Sequence, residues 1–164
     1  MSNKLLKTGS VFLLAGVLAS IGATAHAANI NTSGVVFRNF NAGEALDIDY
    51  LTNGARDINA NPRSVVAPIP RSPVASAPSP SFFIDGENTA NTSTSCTVFV
   101  YDFFGNPVAS QFFTEASAGA SLRNWDHAVT FTAAQLATFN YASVVCTIPG
   151  SANGILHGVT AVQP

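Results

Sequence analysis

Two stretches constrain most of what this chain can become, and each carries one of its two cysteines. Cys96-Thr97-Val98-Phe99-Val100-Tyr101-Asp102 and Ala142-Ser143-Val144-Val145-Cys146-Thr147-Ile148 are rich in β-branched and aromatic residues. Such side chains pack well on a pleated surface and lose rotamer freedom in a helix, so both stretches read as strands. In an exported chain an even cysteine count favours a Cys96–Cys146 disulfide over two free thiols. That bond would tie the two strands together across the core.

The export signal is at the N-terminus. Lys4 and Lys7 form a short basic region, Val11 to Ala19 is apolar, and Ala25-His26-Ala27 has the small-x-small form of a cleavage site. Residues 1–27 are therefore expected to be a secretory signal peptide and 28–164 a single domain. The apolar run is too short for a stable membrane span, and no second one follows it. Removal leaves 137 of the 164 residues, enough for one real core. The expected destination lies beyond the inner membrane, periplasmic or extracellular.

Both lysines leave with the signal. Five arginines then face nine acidic residues, a net charge of −4. A weakly acidic chain without lysine offers little to nucleic acid or to an anionic membrane surface.

The mature chain breaks into short β-type runs separated by turn residues. Val35 to Phe40 reads as a first strand. In Ala45 to Leu51, apolar Leu46, Ile48 and Tyr50 alternate with Asp47 and Asp49, the pattern of a half-buried strand. Asn53-Gly54 is a turn signal, and Arg56 to Pro62 reads as polar loop. Ser64 to Arg71 is extended, with Pro68 and Pro70 placing its second half at a sheet edge. Pro-rich Ser72 to Ser81 is a loop, Phe82-Phe83-Ile84 a strand, and Asn88 to Ser95 a mobile polar loop. After the first cysteine strand, Gly105-Asn106-Pro107 turns the chain into a returning partner, Val108 to Thr114. A segment from Leu122 leads into a strand through Phe131, and the last strand is Ile155 to Val162. One helical signal interrupts the series: Thr132 and Gln135 form a capping box, flanked by Phe131 and Leu136 as a hydrophobic staple. A turn or two of helix is expected near 132–139. The sum is all-β: one antiparallel β-sandwich of about eight short strands, with one short helical turn and one disulfide.

No arrangement of catalytic or metal-binding residues is complete. Asp57-x-Asn59-x-Asn61 begins like a calcium loop, but Pro62 stands where glycine is needed and Pro68 where a bidentate glutamate belongs. Turn residues in a loop explain the pattern better. His127 and His157 are the only histidines outside the leader and have no metal-ligand spacing. There is no nucleophile elbow, and a disulfide leaves no thiol nucleophile. Catalytic residues: none; metal and other cofactors: none. A carboxylate pair set by space rather than sequence keeps a glycan hydrolase open as an alternative.

Three aromatic doublets stand out: Phe82-Phe83, Phe103-Phe104 and Phe112-Phe113. Neighbours on a strand point to opposite faces, so each doublet sends one ring inward and one outward. The outer ring is either covered by a loop or part of an exposed patch for a partner. The hairpin between Phe103-Phe104 and Phe112-Phe113 could bring their outer rings together, which makes these four the candidate contact patch. Trp125 is expected in the core or at its shoulder.

From Tyr50 onward the chain resembles a family of uncharacterised secreted bacterial proteins of proteobacteria and myxobacteria. The resemblance rests on Asn53-Gly54-Ala55-Arg56-Asp57, on Val65-Val66-Ala67-Pro68-Ile69-Pro70-Arg71, on Cys96-Thr97-Val98 with Phe104-Gly105-Asn106, and on Cys146-Thr147-Ile148-Pro149. It implies secretion and fold, with no activity to carry over. Where the family has cysteine before proline, this chain has Ala67, and the partner cysteine expected near the mature N-terminus is missing from Val35 to Ala45. If the resemblance holds, Ala67 should lie beside that stretch.

The functional expectation is a non-catalytic binding or surface-structural module, with an unknown protein or glycan partner. The alternatives are the hydrolase above and a self-associating surface-layer or fibre subunit.

Overall fold

Burial in the first cysteine stretch alternates strictly, with Cys96, Val98 and Val100 inside and Thr97, Phe99 and Tyr101 outside. The whole architecture repeats that period of two. A computed structural model describes residues 30–70, 82–89, 91–117 and 123–162. The signal peptide, the Ser72 to Ser81 loop and the segment 118–122 lie outside the described residues.

The described residues form eleven strands: β1 (Ile30–Ser33), β2 (Arg38–Asn39), β3 (Ile48–Leu51), β4 (Gly54–Asp57), β5 (Arg63–Ile69), β6 (Phe82–Asn88), β7 (Ser93–Tyr101), β8 (Pro107–Ala116), β9 (Arg123–Val129), β10 (Tyr141–Ile148) and β11 (Gly154–Ala161). They form two antiparallel sheets. One runs β3-β4-β11-β6-β9 with β1 also on β11, and the other runs β2-β5-β10-β7-β8. The inner faces of the two sheets make one core. Val98, Val144 and Val65 face it from one side, Ile84, Leu156 and Phe82 from the other. The fold is an all-β sandwich as expected, with more strands than the sequence suggests. Among the described residues no helix is long and apolar enough to cross a membrane.

The disulfide forms, but not across the core. Cys96 and Cys146 are direct cross-strand partners on β7 and β10 of the same sheet, with Cα atoms 4.1 Å apart. The bond lies on the inner face of that sheet, where both residues are buried.

The other departures have local causes. Val35 to Phe40 is no continuous strand: Gly34–Val36 is a 3-10 turn and only Arg38–Asn39 pairs. A Cβ on Gly34 would sit 2.0 Å from the Leu156 carbonyl oxygen, so glycine alone lets the turn pack there. Within the expected loop Asn88 to Ser95, Asn88 belongs to β6 and Ser93 to Ser95 belong to β7. Thr94 donates to Asn88 Oδ1 at 2.6 Å, both side chains fully buried, and Asn88 Nδ2 donates to the Glu115 carbonyl. Between these strands the Thr89 and Thr92 hydroxyls donate to Asn153 oxygens. The helical signal yields a single turn. The capping box forms, Leu136 N donates to Thr132 O at 3.0 Å, and Phe131 and Leu136 are buried. Asn140 then takes the Gln135 carbonyl with its side-chain amide and ends the turn before β10.

β2 pairs with β5 in the register Arg38↔Val66. Phe37 is therefore next to Ala67, the neighbourhood a second bridge at that position would need. Pro68 lies on the part of β5 beyond β2, where a missing N–H costs the ladder nothing.

Candidate functional site: the outer face of the five-stranded sheet

Where β7 and β10 pair in register, every second residue away from the cysteines faces outward. Tyr101 is opposite Tyr141, and Phe99 is opposite Ser143. The rings of Phe99 and Tyr101 are 6.1 Å apart with planes 27° from parallel, and those of Tyr101 and Tyr141 are 5.3 Å apart at 22°. Tyr141 is about half exposed. On β8, Phe112 is opposite Thr97 and so diagonal to Phe99 on the same face. Four rings thus run obliquely over three strands.

Hydroxyl groups flank them. Ser64 and Thr147 lie 3.0 Å apart across β5 and β10, as do Ser95 and Thr114 across β7 and β8. Since Thr147 is opposite Ser95, these four make one row over four strands.

The four phenylalanines singled out from the sequence separate into three environments. Phe113 is buried, stacked on the His127 ring at 3.8 Å and edge-on to Trp125. Phe112 points out with 69% of its surface exposed. Phe103 and Phe104 are 72% and 84% exposed. They do not divide between faces because they lie in the β7–β8 turn, not on a strand. The expected meeting of the outer rings does not occur: Phe112 is opposite Thr97, four residues down β7 from Tyr101. Phe103 instead touches Phe104 and, at 6.5 Å, Phe139. Phe103 and Phe139 line a small apolar notch at the end of the face. Sequence reasoning missed Phe99, Tyr101, Tyr141 and Phe139. The signal was there in the odd spacing of Phe99 and Tyr101 from Cys96, three and five residues on, which puts them on the face opposite the cysteine once the two cysteines are read as paired within one sheet.

The turn holding Phe103 and Phe104 is built by Asp102. Its carboxylate accepts from the backbone N–H of Phe104 and Asn106 and from the Asn106 side chain, and these bonds, led by the Asn106 side chain, lower its pKa. Gly105 sits at φ +85, which a Cβ would strain.

The outer face of the other sheet is acidic. Asp85 on β6 is opposite Asp126 on β9, within hydrogen-bonding distance. Burial, then the charge and hydrogen bond of Asp126, push Asp85 up to about 6, while His157 pulls it down. Glu87 and His157 lie 3.4 Å apart nearby. Among the described residues no three acidic, cysteine or histidine side chains converge to hold a metal.

This pair makes stability depend on pH with a definite sign. Asp85 binds its proton more tightly folded than unfolded, so its contribution is complete below the ordinary carboxylate range and is lost as pH rises through about 6. After discounting for solvent screening the loss is on the order of 1–2 kcal/mol. Asp126→Asn should raise the urea midpoint at pH 7 and leave it nearly unchanged at pH 4. An equal shift at both pH values would contradict this assignment.

The calcium-like loop is a turn. Asp57 Oδ1 accepts from Asn59 N at 2.8 Å, and Asn59 Oδ1 accepts from Asn61 N at 3.0 Å. Arg63 supplies the positive charge, its Nε donating to Asp47 Oδ2 at 2.6 Å with Glu44 3.4 Å from Nη1. Burial pushes Asp57 upward, and hydrogen bonds from Asn59 and then Arg63 hold Asp47 below its usual range. Asp49 is held by Arg56 at 2.8 Å.

The sandwich is similar in fold to a xylan-binding module. That solved structure, a xylan-binding module CBM15, aligns over 84% of this chain and 97% of its own length, with 10% identity and a TM-score of 0.54. A Podospora anserina GH26-CBM35 β-(1,4)-mannanase aligns over 83% of this chain but 28% of its own, at 10% identity and a TM-score of 0.32. At such identity the first likeness is one of fold alone. No protein-family model and no curated protein matches the chain in sequence.

Proposed function

We propose that the mature chain is an exported, non-catalytic carbohydrate-binding module, and that it binds through the outer face of the five-stranded sheet. The observation that carries this is the run of near-parallel rings Phe99, Tyr101 and Tyr141 on an outward face. Their inner-face neighbours complete the core without them. The shared fold with a xylan-binding module supports the reading, and the disulfide suits an oxidising location outside the inner membrane. Membership of the secreted bacterial family is part of the proposal and rests on the motifs quoted above. Aromatic rings suit sugars because they present broad apolar faces at low entropic cost. The test is electrophoresis of the folded mature protein through native gels containing xylan, soluble cellulose derivatives or other polysaccharides. At least one should retard it; unaltered migration in all of them would end the proposal.

A second reading, self-association, is favoured by the exposure of Phe103, Phe104 and Phe139 at one end of the sheet. Analytical ultracentrifugation separates it: a dimer dissolved by Phe103→Ser with Phe104→Ser would support it, and a monomer at high concentration would remove it.

A further inference from the structure

Resting on that reading, we infer that the ligand is an uncharged polysaccharide, seated along the oblique line Phe112, Phe99, Tyr101, Tyr141. The first reason is charge. Among the described residues, the outward positions of β5, β7, β8 and β10 carry no ionisable group apart from the two tyrosines. Among the described residues Arg38 is the cation on the adjoining strand β2, and its guanidinium is already engaged. It donates to the carbonyls of Val35 and Phe37 and lies 5.6 Å from the centre of the Tyr50 ring. The nearest anion, Asp102, stands at the turn next to Tyr101 and has its pKa lowered. Among the described residues an anionic glycan would find no free counter-charge on this face and would meet the Asp102 carboxylate at one end. Acidic glycans are held by arginine and lysine.

The second reason is the mixture of surfaces. A second protein face packed here would have to enclose the hydroxyl row Ser64, Thr147, Ser95, Thr114, whose mutual bonds at 3.0 Å leave further donor and acceptor capacity unused. A neutral glycan chain presents C–H faces for the rings and hydroxyls for that row, so both are satisfied. The rings are also held in place before binding. Tyr101 and Tyr141 brace each other at 5.3 Å, and the Gly105 turn lies against the Tyr141 hydroxyl, 3.6 Å from where a Cβ would stand. Side chains already ordered lose little freedom on binding.

The experiment compares a neutral xylan with polygalacturonate, each at low and high salt, on the native chain, on Tyr101→Ala with Tyr141→Ala, and on Tyr101→Phe with Tyr141→Phe. Circular dichroism and unfolding midpoints of the variants report folding. Binding to xylan, unchanged by salt, weakened about tenfold or more by the alanine pair and largely kept by the phenylalanine pair, is the expected result. Preference for polygalacturonate with loss at high salt would overturn the inference while leaving a carbohydrate-binding module. Xylan binding untouched in a folded alanine pair would remove this face as the site. Binding to neither glycan would also overturn it, and the gels with other polysaccharides then decide whether the wider reading falls too. A dimer abolished by the alanine pair would assign the face to a second copy and overturn the inference.

Discussion

Replacing Cys96 and Cys146 together by alanine lowers the unfolding free energy by about 4 kcal/mol. The bond joins positions 50 apart in sequence, and in the chain-entropy account the effect arises in the unfolded chain, which gains the freedom that the closed loop denied it. The folded state loses little. The two residues are direct partners on paired strands, so β7 and β10 keep their ladder and their inner-face valines. Domains of this size are stable by roughly 5–15 kcal/mol, so the loss is a large share of the total. Denaturant unfolding of the double variant should show a much lower midpoint. An unchanged midpoint would mean that the bond contributes nothing, and thiol labelling of the unreduced, unfolded native protein would then be expected to show free cysteines.

Gly86→Ala has the second large effect, a destabilisation of about 3 kcal/mol, at the upper end for overpacking. Gly86 lies on β6 between Leu156 of β11 and Trp125 of β9. A Cβ there would fall 2.3 Å from Trp125 Cζ2 and 2.7 Å from the Ile155 carbonyl oxygen. The indole is itself buried against Phe113, so it has no free space to enter. The backbone carbonyl belongs to the neighbouring strand and cannot yield without breaking the ladder. Gly43→Ala is the control, because nothing lies within 4 Å of its Cβ position. Equal midpoints for the two variants would contradict this packing.

The parts of the fold legible in the sequence were those set by local chemistry. The two cysteine strands follow from their β-branched runs, the turn at 132 from its capping box, and the β7–β8 hairpin from Gly105-Asn106-Pro107. What escaped was set by distant neighbours. A 3-10 turn replaces the start of the expected Val35 strand where Gly34 fits against the Leu156 carbonyl, and nothing in Gly34-Val35-Val36 declares that. The doublet Phe112-Phe113 divides between faces as alternation requires, while Phe103-Phe104 does not, since Asp102 draws both into its turn. Asp85 and Asp126 meet only because β6 pairs with β9. The aromatic line needed a register: Tyr141 lies next to Tyr101 only when Cys146 is opposite Cys96.

The most direct test of the binding face is a nuclear magnetic resonance titration of the isotope-labelled mature chain with a soluble neutral xylo-oligosaccharide. The predicted result is a set of shifts confined to the outward residues of β7, β8 and β10, largest around Phe99, Tyr101, Phe112 and Tyr141. Shifts centred instead on β6, β9 and β11 around Asp85, Asp126 and His157, or the absence of any shift, would contradict it.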